Sequence, residues 1–200
     1  MQRKNFGRNQ VFQPSAAYTP ANEREVLQIL DRHRGQRIRA VGRLHSWSEA
    51  VLGDGVLLDL RRLNDVRLQP DDDQFVATIG SGCQIKRLLK ELDRDGATLH
   101  SLGLITEQTI AGAISTGTHG SGRHSMSHYV IGVRLARYNA STGRAFIEEL
   151  SAGEQLQAAR CSLGSLGIIL SVKLRCRAQY NVQEHFTESR RLSDVLDAET

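Results

Sequence analysis

The sequence predicts an α+β fold in two lobes, a small mainly parallel sheet with helices before about residue 70 and a larger antiparallel sheet with flanking helices after it. Three observations carry this. Helix and strand patterns alternate in the first third of the chain, the order that builds parallel strands. A strongly periodic helix follows at residues 84–95, and its apolar stripe needs a sheet to cover. Beyond residue 128, two strand patterns flank a short polar turn and a third comes after them, the order of antiparallel pairing.

In chain order, residues 22–35 read as a helix: Asn22 is placed to cap it, Glu25 stands three residues on, Val26, Ile29 and Leu30 share a face, and Gly35 ends it. Ile38 and Ala40 alternate with Arg37 and Arg39 in a short strand that opens into VGRLHSWSEA, a loop without clear periodicity. Two compact strands, VLLDL at 56–60 and FVATI at 75–79, are separated by an acidic turn at Asp71, Asp72 and Asp73. Ile85, Leu88, Leu89 and Leu92 form one core stripe, and Gly96 closes their helix. The stretch from Leu99 to Ser125 is the least ordinary, with Gly103, Gly112, Gly117, Gly120 and Gly122 among small and hydroxyl residues. Residues 129–150 predict a hairpin turning at Asn139–Gly143, and ILSVKLRCRAQY places Leu170, Val172, Leu174 and Cys176 on one strand face. A last helix opens at Ser193.

Two hundred residues with 40% hydrophobic content suffice for a sizeable core. The formal charge of +4 is mild and scattered, and aromatic residues make up 5% of the chain, so neither a basic block nor a stacking platform points to nucleic acid. Cys83, Cys161 and Cys176 are odd in number and widely spaced; they fit neither a disulfide framework nor a four-ligand zinc site, and they predict a reducing, cytoplasmic setting. The opening MQRKNFGRNQVFQ lacks the apolar run of a leader, and no stretch approaches the roughly 18 apolar residues of a membrane span.

The candidate chemistry lies in two loops, residues 42–48 and 115–122. Glycine lets backbone N–H groups approach phosphate oxygens, and Ser and Thr add donors. Neither loop contains GxxxxGKS or GxxxxGKT, and Gly117, Gly120 and Gly122 do not make GxGxxG, so a P-loop or Rossmann reading fails. Taken singly, each is as readily a glycine-rich turn; together they suit the clamping of a long dinucleotide at two points. His119, His124 and His128 have no neighbouring carboxylate or cysteine, so no metal site is expected. Trp47 reads equally as a cofactor contact or as core.

His45 in GRLHSWS, followed by SLGLITEQTIAGAISTGTHGSG, resembles the paired signature of the vanillyl-alcohol oxidase superfamily with its PCMH-type FAD-binding domain, and within it the aldonolactone and alditol oxidases. The resemblance runs from FQPSAAYTPANEREVLQIL to SLGSLGIILSVKLR, nearly the whole chain. It implies FAD as cofactor, with Val41, Gly42, Arg43, Leu44, His45, Ser46 and Trp47 round the pyrophosphate and His45 bonded covalently through a ring nitrogen to the flavin 8α carbon. It assigns flavin and pyrophosphate contacts to Ser101, Gly103, Gln108, Thr109, Gly112, Ser115, Thr118, His119, Gly120 and Ser121, and an adenine-side backbone contact to Ile168, which reads equally as core. Gly103 corresponds to a small residue beside the flavin where Gly accompanies oxygen access, which leans toward an oxidase; it reads equally as a turn glycine at positive φ.

The implied layout is an FAD-binding domain over residues 1–186, with lobes of about 1–70 and 71–186 and the cofactor between them, then the start of a truncated substrate domain at 187–200. The implied reaction oxidises a sugar lactone or polyol at a CH–OH carbon, with oxygen as acceptor and hydrogen peroxide as product. The substrate half would come from a longer polypeptide or from a separate chain. An FAD-binding module without turnover of its own stays open. So does a reductase of the same fold with noncovalent FAD, against which His45 argues.

Overall fold

The computed structural model describes residues 2–49, 53–72, 74–122, 124–186, 188 and 191–196; Asp73 of the expected acidic turn and residues 197–200 lie outside them. The chain opens with a two-stranded antiparallel ribbon, β1 (Arg3–Lys4) and β2 (Val11–Phe12). β3 (Ala16–Tyr18), helix α1 (Glu23–Arg32), β4 (Ile38–Val41) and β5 (Val56–Asp59) then build the small lobe, whose sheet, ordered β3-β5-β4, is wholly parallel. The start of α1 is fixed as its sequence dictates. Asn22 Oδ1 accepts from the Glu25 N–H at 3.0 Å, and Glu25 Oε2 accepts from the Ala21 N–H at 2.7 Å.

The large lobe is an antiparallel sheet ordered β10-β9-β11-β7-β6, with β8 also on β11. Its strands are β6 (Val66–Asp71), β7 (Gln74–Gly80), β8 (Ala97–Leu99), β9 (Val130–Tyr138), β10 (Ala145–Leu150) and β11 (Ile168–Ala178). One face packs on α2 (Ile85–Arg94), α3 (Ile110–Ser115) and α4 (Gly153–Arg160) through Ile85, Leu88, Leu92, Ile110, Ile114 and Leu156. A four-residue helix, α5 (Ser193–Leu196), lies beyond the sheet.

Four of these elements have weak sequence signals, and each has a physical reason. β6 is an edge strand that tolerates Pro70, a residue that argues against a strand elsewhere. β8 and α3 are too short for a period to show, and α4 buries only Leu156 and Ala159. Because β6 belongs to the large sheet, the chain changes lobes at residues 60–65, slightly ahead of residue 70.

The strand face expected for Leu170, Val172, Leu174 and Cys176 is broken by a β-bulge. Ile169 opposes Leu135 and Ser171 opposes Arg134, which leaves Leu170 as the extra residue. Leu170 therefore joins Ile168 and Ala136 in the small-lobe core with Val26, Leu30 and Leu58, whereas Ile169, Val172, Leu174 and Cys176 enter the large-lobe core. Polar links across the same seam bind α1 to the large sheet. Arg134 pairs with Glu23 at 2.8 Å and the Tyr138 hydroxyl donates to Leu30 O at 2.6 Å.

Candidate functional site

β4 delivers the chain at Val41 into the first loop. Gly42 lies against Thr109: a Cβ here would sit 2.2 Å from Thr109 Oγ1, so only glycine lets the first loop meet the second segment. Leu44 follows at φ 57°, a left-handed conformation that costs a non-glycine residue about 1–2 kcal/mol. Among the described residues, no N–H of residues 43–47 donates to a protein group. The carbonyls, in contrast, are taken by the N-terminal ribbon. Phe6 N–H donates to Leu44 O at 2.8 Å, Asn5 Nδ2 to Ser46 O at 2.9 Å, and Asn9 Nδ2 and Gln10 Nε2 to Trp47 O at 3.1 and 3.4 Å. Three carbonyls of the loop are thus turned to the ribbon while the N–H groups of residues 43–47 stay free, the arrangement that suits an anion.

His45 stacks on the Phe6 ring with centroids 4.5 Å apart and planes 22° from parallel. Burial pushes its imidazole below the usual value, Arg43 pushes the same way, and Glu107 opposes them. The neutral ring, with a free lone pair, is the form favoured at neutral pH. Trp47 is 63% exposed and is not core; its ring lies over Gly7, where a Cβ would sit 2.9 Å from ring carbons. Ser46 Oγ lies 3.1 Å from Ser48 Oγ.

The second segment is held by its own chain. Ile85 N–H donates to Gln108 O at 2.9 Å, and buried Thr109 caps α3, its Oγ1 accepting from Gly112 N–H at 3.3 Å. Thr118 Oγ1 donates to Gln108 Oε1 at 3.4 Å, and Ser115 O accepts from Cys161 Sγ at 3.3 Å. Gly103 is not at positive φ, which corrects the turn-glycine reading; a Cβ there would lie 2.6 Å from Thr118 Cγ2. A Cβ on Gly120 would lie 2.3 Å from Leu102 O, so residues 102–103 run tightly against 118–120. Ser101 Oγ is buried without a partner. His119 Nδ1 sits 2.8 Å from Gly120 O, Ser121 is exposed, and the Ile168 side chain, 8% exposed, belongs to the small-lobe core. His124 stacks on His128 at 4.0 Å, and among the described residues no group of three or more His, Cys, Asp or Glu is placed to hold a metal ion.

These residues fit a dinucleotide. A cavity of about 180 Å³ adjoins the first loop and is lined by Val41, Gly42, Arg43, Leu44, Leu57, Arg3, Asp59 and Arg61; Arg61 is paired with Asp59, so Arg3 and Arg43 are the cations beside the free N–H groups. The unpartnered Ser101 hydroxyl supplies a further buried polar group in want of a ligand. A larger cavity, about 430 Å³ between α1 and the outer face of the large sheet, touches neither loop. Sequence reasoning did not find the ribbon residues Asn5, Phe6, Gly7, Asn9 and Gln10. Their signal is a Gly and Asn turn between Lys4 and Val11, a short hairpin pattern without a periodic apolar face.

Residues 14–143 match the family described as an FAD binding domain. The chain is 85% identical, over 99% of its length, to a long-chain alcohol oxidase of an uncultured marine euryarchaeote, and covers 41% of that protein. It is 32% identical over 97% of its length to the L-gulonolactone oxidase of Bos taurus, covering 44% of it. A solved structure, solvent-stable cholesterol oxidase, shares the fold with a TM-score of 0.79 at 19% identity, over 88% of this chain and 37% of that one. The chain therefore spans less than half the length of the relatives it matches. With the family match covering most of both lobes and aldonolactone oxidases among its relatives, the chain belongs to the PCMH-type FAD-binding domain family of flavin oxidoreductases.

Proposed function

We propose that this chain binds FAD between its lobes as part of an oxidase acting on a CH–OH carbon, with oxygen as acceptor and hydrogen peroxide as product, and that His45 carries the flavin covalently. The observation that carries this reading is the contact of Gly42 with Thr109, which joins the donor-rich first loop and its neutral histidine to the second segment. FAD supplies the two-electron acceptor for the alcohol carbon; placement and electrostatics fall to the protein. The free N–H groups of residues 43–47 and the Arg3 and Arg43 side chains would hold the pyrophosphate, with Arg61 kept in place beside them by Asp59. Ser101, Gln108, Thr109, Gly112, Ser115, Thr118, His119, Gly120 and Ser121 would line the flavin side, and the Ile168 backbone the adenine side. A His45 ring nitrogen would hold the flavin at its 8α carbon; forming that bond would displace the ring N–H proton and one methyl hydrogen, with oxygen as the final acceptor of the two electrons, giving hydrogen peroxide. Gly103 would leave the site open to oxygen. The reducing cytoplasm suits the three unpaired cysteines.

For substrate, the lactone oxidase relatives favour a sugar lactone or polyol. A second reading, a long-chain alcohol, is favoured by the 85% identical relative. The residues that choose between them would come from the remainder of a longer polypeptide or from a separate chain.

The test is direct. Acid-precipitated protein should keep one FAD of added mass, visible by absorbance and intact mass, and His45→Ala should lose it. Full-length protein given lactones, polyols and long-chain alcohols should release peroxide with one class. Colourless precipitate from a protein that binds FAD reversibly would remove the covalent link and keep the cofactor, and absence of any flavin binding would sink the proposal.

A further inference from the structure

We infer that the N-terminal ribbon positions His45 for the flavin, with Phe6 and Asn5 as positioning residues; this rests on the flavin-site reading above. The ribbon has little reason to be ordered by itself. Its pairing is confined to Arg3 with Phe12 and Lys4 with Val11, and an isolated two-stranded hairpin is marginal in water. Apart from the bonds that close its own turn between Asn5 and Gln10, its bonds go to the histidine loop, where it occupies the carbonyls of Leu44, Ser46 and Trp47, on both sides of His45.

Asn5 is the hub of this attachment. It is 3% exposed and its amide is fully used: Nδ2 donates to Ser46 O at 2.9 Å and to Asn9 Oδ1 at 2.7 Å, and Oδ1 accepts from Gln10 N–H at 3.0 Å. A buried amide satisfied on both sides fixes the backbone that it joins. Phe6 is the opposite kind of residue. It is 62% exposed, so core burial does not explain a phenyl ring here, yet it lies on the His45 imidazole at 4.5 Å. Together they set the two quantities that an attacking ring nitrogen needs, the position of the His45 backbone and the plane of its ring.

The experiment uses the full-length polypeptide with Phe6→Leu, Phe6→Tyr and Asn5→Asp. Phe6→Leu keeps an apolar side chain but removes the stack, and Asn5→Asp removes both Nδ2 donors. We expect Phe6→Leu to fold normally, bind FAD reversibly, and attach it about 10- to 100-fold more slowly. Phe6→Tyr should restore attachment. The His45 titration, followed by NMR without flavin, should rise toward the ordinary imidazole value in Phe6→Leu, because the phenyl ring contributes to its burial. Unchanged attachment together with an unchanged His45 titration in Phe6→Leu would overturn the inference. A wild-type protein without covalent flavin would instead refute the linkage alone; the inference then stands or falls on the titration and on reversible FAD affinity. Should Asn5→Asp fail to fold, the Phe6 pair decides.

Discussion

The two segments that meet at Gly42 and Thr109 are held by different parts of the fold. The second, residues 101–122, is braced by itself, through the Thr109 cap and the Thr118 to Gln108 bond, and by the start of α2, where the Ile85 and Lys86 N–H groups donate to Gln108 O and Thr106 O. The first, residues 42–48, is tied internally by the Ser46 to Ser48 hydroxyl contact and otherwise leans on a ribbon some forty positions earlier, as the Asn5 to Ser46 bond shows. Bracing by α2 makes a fixed wall. Bracing by the ribbon leaves the N–H groups of residues 43–47 free while the geometry is set from outside, which would suit a segment that takes up a ligand and presents a reactive ring.

The contact between the segments is the place to break the comparison. Gly42→Ala puts a methyl group 2.2 Å from Thr109 Oγ1, and overpacking of this kind costs about 1–3 kcal/mol, so thermal melts should fall by several degrees and flavin binding should be lost. Adding Thr109→Ala should recover part of that binding, since it removes the colliding oxygen. Thr109→Ala alone should cost about 1 kcal/mol through the lost cap, read from chemical denaturation, because the brace of the second segment is local. A loss as large as that of Gly42→Ala would mean that the two segments are one unit.

Acid should weaken the molecule near the first loop and at the edge of the second. Burial is the leading cause that holds His45, His100 and His128 below the ordinary imidazole value, with neighbouring arginines helping at each and His124 also at His128. The unfolded chain then takes up these protons first. The stabilisation is complete above about pH 6.5 and is lost as pH falls through the depressed folded values. Denaturation midpoints at pH 7.5 and 5.5 should show the decline, and His100→Gln should shrink it. The smallest effect is expected from Glu107→Gln. Glu107 raises the His45 value, so its neutralisation should push the titration lower still, a shift that NMR can read without flavin. A shift upward would show that Glu107 does not face His45.

Local signals were legible in proportion to how far their causes lay within a few residues. The cap at Asn22, the stripe of Ile85, Leu88 and Leu92, and the turn at Asn139–Gly143 are local devices, and the structure shows each of them. The glycine-rich second segment was also legible, because its tight approaches need small residues close together in sequence. The bulge at Leu170 was not, since it is fixed by the partner strand and not by the alternation of its own. Nor was the ribbon: Phe6 and Asn5 matter through residues 44–47, a pairing that no period in the chain announces. Gly42 shows the mixed case. Its presence marks a loop, but the reason that it must be glycine is Thr109, sixty-odd positions away.

The extra residue in β11 also decides how the molecule comes apart. One strand supplies Ile168 and Leu170 to one core and Ile169, Val172 and Leu174 to the other, so neither lobe can shed its packing without dragging the same ladder of amides into solvent. The two lobes should therefore melt as one cooperative unit, with the last amides to exchange with solvent on β9 and β11 along the seam.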